Sequence, residues 1–373
     1  ILARNNFTNE IVFSDIYINI EEFCTTNSLI LFQNNTLDNI STLLTPGLTF
    51  VLKFERVSSV LIDHNNFTNF LGSLYAMRVG EMKHTKVFVA SNNRIANLHN
   101  AAFFFASYVF IHDATFSNNL FENSEISFNL IFTDHILISG NFSIYENIFR
   151  NITLNPSDLI SSIIEIDLSQ VAPNGTYLEG PSNRAIKVEN NLFTDLAITK
   201  NLSYLARRQN VMGRFAASDS QVIILNSTIQ NSAQLFGGHY FSIYSPQTLI
   251  RACNVTNITV DFKYGLFLIV TAELKVESSS FSHITAGELV YGGVFSITPT
   301  ESFANFTTVI FNSSTFSSIS GETGTIFWLV NGKLRFSGFN NTFVNNSANM
   351  DALFYVEKTA IESLNFSNSY IIP

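Results

Sequence analysis

One short phrase, polar residues followed by a single apolar residue and then another polar one, returns along the whole chain and limits what it can fold into. Its copies are NNFTN at 5–9, NNTLDN at 34–39, NNFTN at 65–69, NNRIAN at 92–97, NNLFEN at 118–123, ENIFRN at 146–151, NNLFTD at 190–195, NSTIQN at 226–231, CNVTN at 253–257, SSSFSH at 278–283, SSTFSS at 313–318, NNTFVN at 340–345 and LNFSN at 364–368. The apolar anchors are Phe7, Leu37, Phe67, Ile95, Phe121, Phe149, Phe193, Ile229, Val255, Phe281, Phe316, Phe343 and Phe366. Most steps between anchors are about 23 to 30 residues, with longer ones of roughly 35 to 44, the range in which self-similarity means stacked supersecondary units.

The intervals decide between helical and strand repeats. A helical solenoid needs Ala, Leu, Glu and Lys in an i, i+3, i+4 stripe, whereas these intervals hold short runs of Val, Ile, Phe, Tyr, Thr and Ser. An alternating piece such as Gln221–Leu225 precedes the anchor, and a second apolar piece such as Gly265–Thr271 or Gly324–Val330 follows it. Two or three short strands per coil, with Asn, Gly and Ser at the corners, predict an all-β parallel β-helix of about 12–13 coils. Asn suits the corners because it tolerates the left-handed backbone region and its amide can bond the same amide one coil away. The anchors are expected to point inward as a largely aromatic column.

Composition agrees. The unbroken repeat predicts one domain over 1–373, with inserted loops near 169–184, 199–214, 232–248 and 297–306, and neither end shows a capping element. The chain therefore reads as an excerpt of a longer one, or as a unit that stacks end to end into a fibre. Charged residues make up 13%, about half the usual share, so Asn, Ser and Thr must cover the exterior. A net charge of −9 with 20 scattered basic residues is no nucleic-acid footprint. Phe outnumbers Tyr and Trp together, 37 against 13, which assigns the aromatics to core filling. No apolar run approaches the roughly 18 residues of a bilayer-crossing helix. The basic residues Lys200, Arg207, Arg208 and Arg214 form one local cluster, read as a solvated face.

At about 4.8 Å per coil, Cys24 and Cys253 would lie on the order of 38 Å apart, beyond disulfide reach, so both are expected as free thiols. Sixteen Asn-X-Ser/Thr sequons are N-glycosylation candidates: Asn6, Asn34, Asn39, Asn66, Asn141, Asn151, Asn174, Asn201, Asn226, Asn254, Asn257, Asn305, Asn312, Asn340, Asn345 and Asn365. Asn-rich corners generate sequons by composition, and the competing reading is an exported glycoprotein. Asn39, Asn201 and Asn305, placed outside the tightest corners, and Asn174 in a loop are expected to be the most accessible.

The coil pattern resembles the right-handed parallel β-helices of the pectin-lyase-like superfamily, especially Asn- and Phe-rich repeat regions of large surface proteins in single-celled eukaryotes. It is also similar to bacterial polymorphic outer-membrane repeats: Gly292-Gly293-Val294-Phe295 approximates their Gly-Gly-Ala-Ile element, and Phe116–Asn119 and Phe343–Asn346 fit their Phe-X-X-Asn. The resemblance implies a right-handed winding and admits polysaccharide hydrolases and lyases. Hydrolases need two carboxylates flanking the scissile bond. Their Asn-Thr-Asp, Asp-Asp, Gly-His-Gly and Arg-X-Lys strings are absent; Gly238-His239-Tyr240 and Arg184-Ala185-Ile186-Lys187 approach them without carboxylate partners. Asp63-His64, His112-Asp113 and Asp134-His135 are the best chemical candidates, as bases or metal ligands along one groove or as corner residues capping backbone amides. The latter reading is adopted. The sequence thus predicts no catalytic, cofactor or metal residues, and an extracellular structural or adhesive solenoid whose partners are N-linked glycans, further copies of itself or other surface proteins. The alternative is a β-helix that binds or cleaves carbohydrate.

Overall fold

A computed structural model describes residues 2–372 except 9–10, 13–15, 22–28, 43–48, 56, 81–84, 108–109, 128, 135–136, 139, 156–161, 169–183, 199–210, 235–238, 261–264, 288–291, 299–305, 322 and 350–352. Two compact units divide the chain, residues 1–157 with 161–187 and residues 188–373 with 158–160. Each is a parallel β-solenoid, and no helix occurs among the described residues. Every coil is a chain of parallel crossovers, for which the twist of the strand dictates a right-handed winding.

In the first unit the anchor strands stack in register, Phe7 on Leu37, Leu37 on Phe67, Phe67 on Ile95, Ile95 on Phe121 and Phe121 on Phe149. On one side lies the sheet of Leu29–Gln33, Ser59–Asp63, Thr85–Ser91, Phe110–Ser117 and Asn141–Tyr145; on the other that of Ile16–Glu21, Thr49–Glu55, Leu71–Gly80, His99–Ser107, Ile131–Asp134 and Ser162–Asp167. In the second unit the anchors stack as Phe193, Ile229, Val255, Phe281, Phe316 and Phe343.

The final anchor differs from expectation. Phe343 pairs with Ile371, and Phe366 pairs with Gly338 one sheet earlier. LNFSN at 364–368 imitates the phrase, but the corner itself begins at Asn368, whose φ is 49°. A bulge between Leu334 and Arg335 shifts the register and brings Phe366 level with Gly338, where its ring packs on Phe336 at 4.8 Å and Phe354 at 5.7 Å while remaining 46% exposed.

Alternation sorts each strand into core and surface. The core is layered Phe, Ile, Leu and Val: Phe121 lies on Phe149 at 4.7 Å and 2°, and Phe316 lies between Phe281 (5.1 Å, 7°) and Phe343 (5.2 Å, 10°). Of the stretches expected as insertions, the described parts of two run as coil strands, Val211–Ala216 and His239–Tyr244. Residues 169–183, 199–210 and 299–305, and with them Lys200, Arg207 and Arg208, lie outside the described residues; Arg214 is in a strand.

Candidate functional site

The corners divide labour among the asparagines. With Asn100 and Lys358 as exceptions, every described non-glycine residue of positive φ falls in one of two columns. In the first unit they are Arg4, Asn34, His64, Asn92, Asn118 and Glu146, then Asn39, Asn69, Asn97, Asn123 and Asn151. In the second they are Asn190, Asn226, Ala252, Ser278, Ser313, Asn340 and Asn368, then Asp195, Asn231, Asn257, His283, Ser318 and Asn345. The second column follows the first by five positions every time, as 64 and 69 or 313 and 318 show. Length varies instead on either side of the other sheet, for example between Ile198 and Val211.

The ladder residue is the one after the first left-handed position, a separation of roles not visible in the repeat. Asn35, Asn65, Asn93, Asn119, Asn147, Asn191 and Asn341 are buried. Asn119 Oδ1 accepts the Asn93 backbone N–H and Nδ2, both at 3.0 Å, while Asn119 Nδ2 donates to Ala90 O at 2.8 Å and to Asn147 Oδ1 at 2.9 Å. In the second unit Ser227, Ser279 and Ser314 take this place, their Oγ accepting the backbone N–H of Asn191, Cys253 and Ser279. Cys253 fills it once: the thiol is buried and free, with Sγ 3.5 Å from Ile224 O, and burial pushes its pKa up to about 11. Cys24 lies outside the described residues.

No sequon falls on this buried ladder. Asn6, Asn34, Asn39, Asn151, Asn226, Asn254, Asn257, Asn340, Asn345 and Asn365 are exposed, and Asn66, Asn141 and Asn312 are partly exposed. All but Asn141, Asn312 and Asn365 sit on the corner strand or its two left-handed ends. Asn39, expected outside the tight corners, is itself a corner residue of φ 55°, and it is exposed because that conformation turns its side chain out. Asn174, Asn201 and Asn305 lie outside the described residues.

The three His and Asp pairs do not line one groove. Asp63 stands in register with Ser91, whereas Asp113 is level with Val87 and Ser59 at the other end of the same sheet. Asp134 belongs to a different sheet, paired with Ser107, and His135 lies outside the described residues. Asp63 is a corner tie: it accepts from His64 Nδ1 at 2.7 Å, Ser91 Oγ at 2.8 Å and Asn92 Nδ2 at 2.9 Å. Burial raises its pKa, but the bonds from Asn92, His64 and Ser91 together outweigh burial and hold the carboxyl below its ordinary value. Asp113 Oδ1 accepts the Asn141 backbone N–H at 2.8 Å. His239 and Arg184, from the near-miss strings, are buried. Among the described residues no group of three metal-ligating side chains converges.

A more built polar feature escaped the sequence. Glu122, 4% exposed, is gripped by Arg94 through Nε and Nη2, both at 2.9 Å from Oε1, and by Arg150 through Nε at 2.9 Å from Oε2 and through Nη2. Burial works to raise the Glu122 pKa; the hydrogen bonds and charges of Arg150 and Arg94 reverse it and keep the carboxylate ionised. Its signal was periodic: Arg94 and Arg150 are each 28 residues from Glu122, one coil away.

Compared with protein families, with curated proteins and with solved structures, the chain matches none.

Proposed function

We propose that this is an extracellular structural or adhesive glycoprotein solenoid of a cell surface, built on the pectin-lyase-like plan and carrying N-linked glycans along its corner strand. One observation carries the reading: each described sequon asparagine is exposed or partly exposed, most of them along the corner strand and its two left-handed ends. The polar sheath of Asn, Ser and Thr and the dispersal of the carboxylates support a scaffold over a hydrolase. End-to-end assembly and contact with other surface proteins belong to the same proposal. Intact mass of the secreted protein before and after enzymatic deglycosylation tests it. Loss of several glycan masses is expected, and an unmodified chain from a glycosylating host would sink the reading.

A second reading, an extended carbohydrate held on the second unit, is favoured by one row of its outer face. Trp328 and Tyr355, both half-buried, follow one another in register there, next to the fully buried Ser296. Trp328→Ala abolishing retention on an immobilised polysaccharide would favour this reading.

A further inference from the structure

Phe339 is 47% exposed although a coil lies on either side of it, with Asn312 level before it and Ser367 level after it. It makes no ring contact among the described residues. The fold does not call for an aromatic there: the equivalent row of the first unit, just before the first left-handed position, begins Gln33, Asp63, Ser91 and Ser117. The next residue, Asn340, opens the sequon Asn340-Asn341-Thr342. Along an extended strand consecutive side chains point to opposite faces. Asn340 breaks that alternation with a φ of 54°, and both it and Phe339 are exposed. Its Nδ2, the atom to which a glycan is joined, lies 3.4 Å from Ser313 Oγ on the preceding coil, and Ser313 follows the Asn312 that is level with Phe339. A sugar on that nitrogen therefore starts beside the ring, both along the chain and across the ladder.

We propose that Phe339 is the docking platform for the first N-acetylglucosamine of a glycan on Asn340, an intramolecular contact, resting on the glycoprotein reading, that stabilises this corner. The face of an aromatic ring carries partial negative charge, and a pyranose presents a face of C–H groups made positive by their oxygens, so the two attract and leave water together. Asn312, Ser313 and Ser367 around the ring are uncharged, so nothing there selects an ionic occupant. The chain carries its own comparison. Asn34-Asn35-Thr36 repeats the triplet at the same left-handed corner, φ 54°, with Gln33 where Phe339 stands, its Nε2 donating to Asp63 Oδ2 at 3.4 Å.

Protein secreted from a glycosylating host is compared with Thr342→Ala, which removes the sequon and leaves Phe339 and Asn340 in place, in the parent and in a Phe339→Ser background. Serine already stands in this row at 91, 117 and 367. Peptide mass reads occupancy of Asn340, and amide exchange over 336–345 reads local stability. Loss of the sequon should speed exchange several-fold in the parent and leave it unchanged in Phe339→Ser. Trimming the glycans enzymatically to their first sugar should keep the protection. At the comparison corner Thr36→Ala should change exchange little, and Gln33→Phe should make that corner depend on its glycan. An equal glycan effect with and without Phe339, or protection lost on trimming to the first sugar, overturns the platform. So does Asn312→Gln abolishing the protection, which assigns the sugar to the neighbouring acceptor, and so does an empty Asn340 beside occupied sequons elsewhere. The two readings fail separately: an occupied Asn340 uncoupled from Phe339 sinks the platform and leaves the glycoprotein standing, whereas a chain without any glycan removes both.

Discussion

Phe316→Ala tests the aromatic column where it is best ordered. Phe316 is fully buried, sandwiched between Phe281 and Phe343 within 10° of parallel, and meets Phe311 at 5.5 Å. Burying a phenylalanine contributes about 1.5–3 kcal/mol, and each of the two stacked pairs adds about 0.5–1.5 kcal/mol beyond area. Together these give roughly 2.5–6 kcal/mol, which brackets the about 3–5 kcal/mol for Phe→Ala in cores that relax little. Relaxation is restricted here because the rings above and below are fixed by ladders to their own coils. Urea unfolding of the parent, Phe316→Ala and Phe366→Ala gives the comparison, with amide exchange of coils 281–343 to show whether loss stays local, as nearest-neighbour solenoid energetics allow. The half-exposed Phe366 should cost well under half as much. If Phe316→Ala stays within about 1 kcal/mol of the parent, the rings do not hold the coils together and the argument fails. Phe121 and Phe343, inward as expected from sequence, should behave like Phe316.

Asn119→Ala strips a buried acceptor from the Asn93 N–H and should destabilise by about 1–3 kcal/mol, while Asn119→Ser, the second unit's solution, should cost visibly less in the same melts. Cys253, its thiol raised to about 11, should resist iodoacetamide at pH 8 in the folded protein and react on unfolding, read by the mass of its peptide; Cys253→Ser should melt within a few degrees of the parent. Glu122 and Asp63 are held below their ordinary pKa, so the stability they contribute is present above the unfolded carboxylate value of roughly 4 and is lost as pH falls through the folded values. Thermal midpoints should therefore drop from about pH 4 downward, and Glu122→Gln should flatten that slope.

The fold was legible because its period is written into the anchors: Phe121, Phe281 and Phe316 appear at fixed offsets from Asn or Ser, and each proved to be buried. Register was legible only while the phrase stayed clean. At 364–368 the sequence repeats the phrase in a strand, and the true anchor Ile371 sits among Tyr370 and Ile372, which no polar, apolar, polar rule selects. The site was harder to read. Asp63-His64 and His112-Asp113 look equivalent in sequence, yet a shift of four positions along one sheet separates them, and strand offset is invisible without the ladder. Arg94, Glu122 and Arg150 are far apart in the chain: Arg150 lies level with Glu122 one coil on, whereas Arg94 lies level with Leu120 and reaches Glu122 diagonally, an offset only the register reveals.

Asparagine carries three physically incompatible tasks within five residues of this repeat, and position alone separates them. At the left-handed ends it is used for backbone tolerance, so Ala252, Glu146 and His64 can stand in at a cost in strain. On the ladder it is used for an acceptor and a donor at once, so only Ser and Cys replace it, each keeping the acceptor that meets the N–H one coil away. A glycan on that buried Nδ2 would displace the bond to the next amide and wedge the coils apart, whereas on Asn34 or Asn257 it extends into water. The third residue of a ladder asparagine's triplet is the inward anchor itself, Leu37 after Asn35 or Phe343 after Asn341. A Ser or Thr there would complete a sequon and hollow the core in the same step. The repeat thus excludes glycan acceptors from its interior by the same residue that packs it, and the sequons are left to the positions around the ladder residue, where the chain faces solvent.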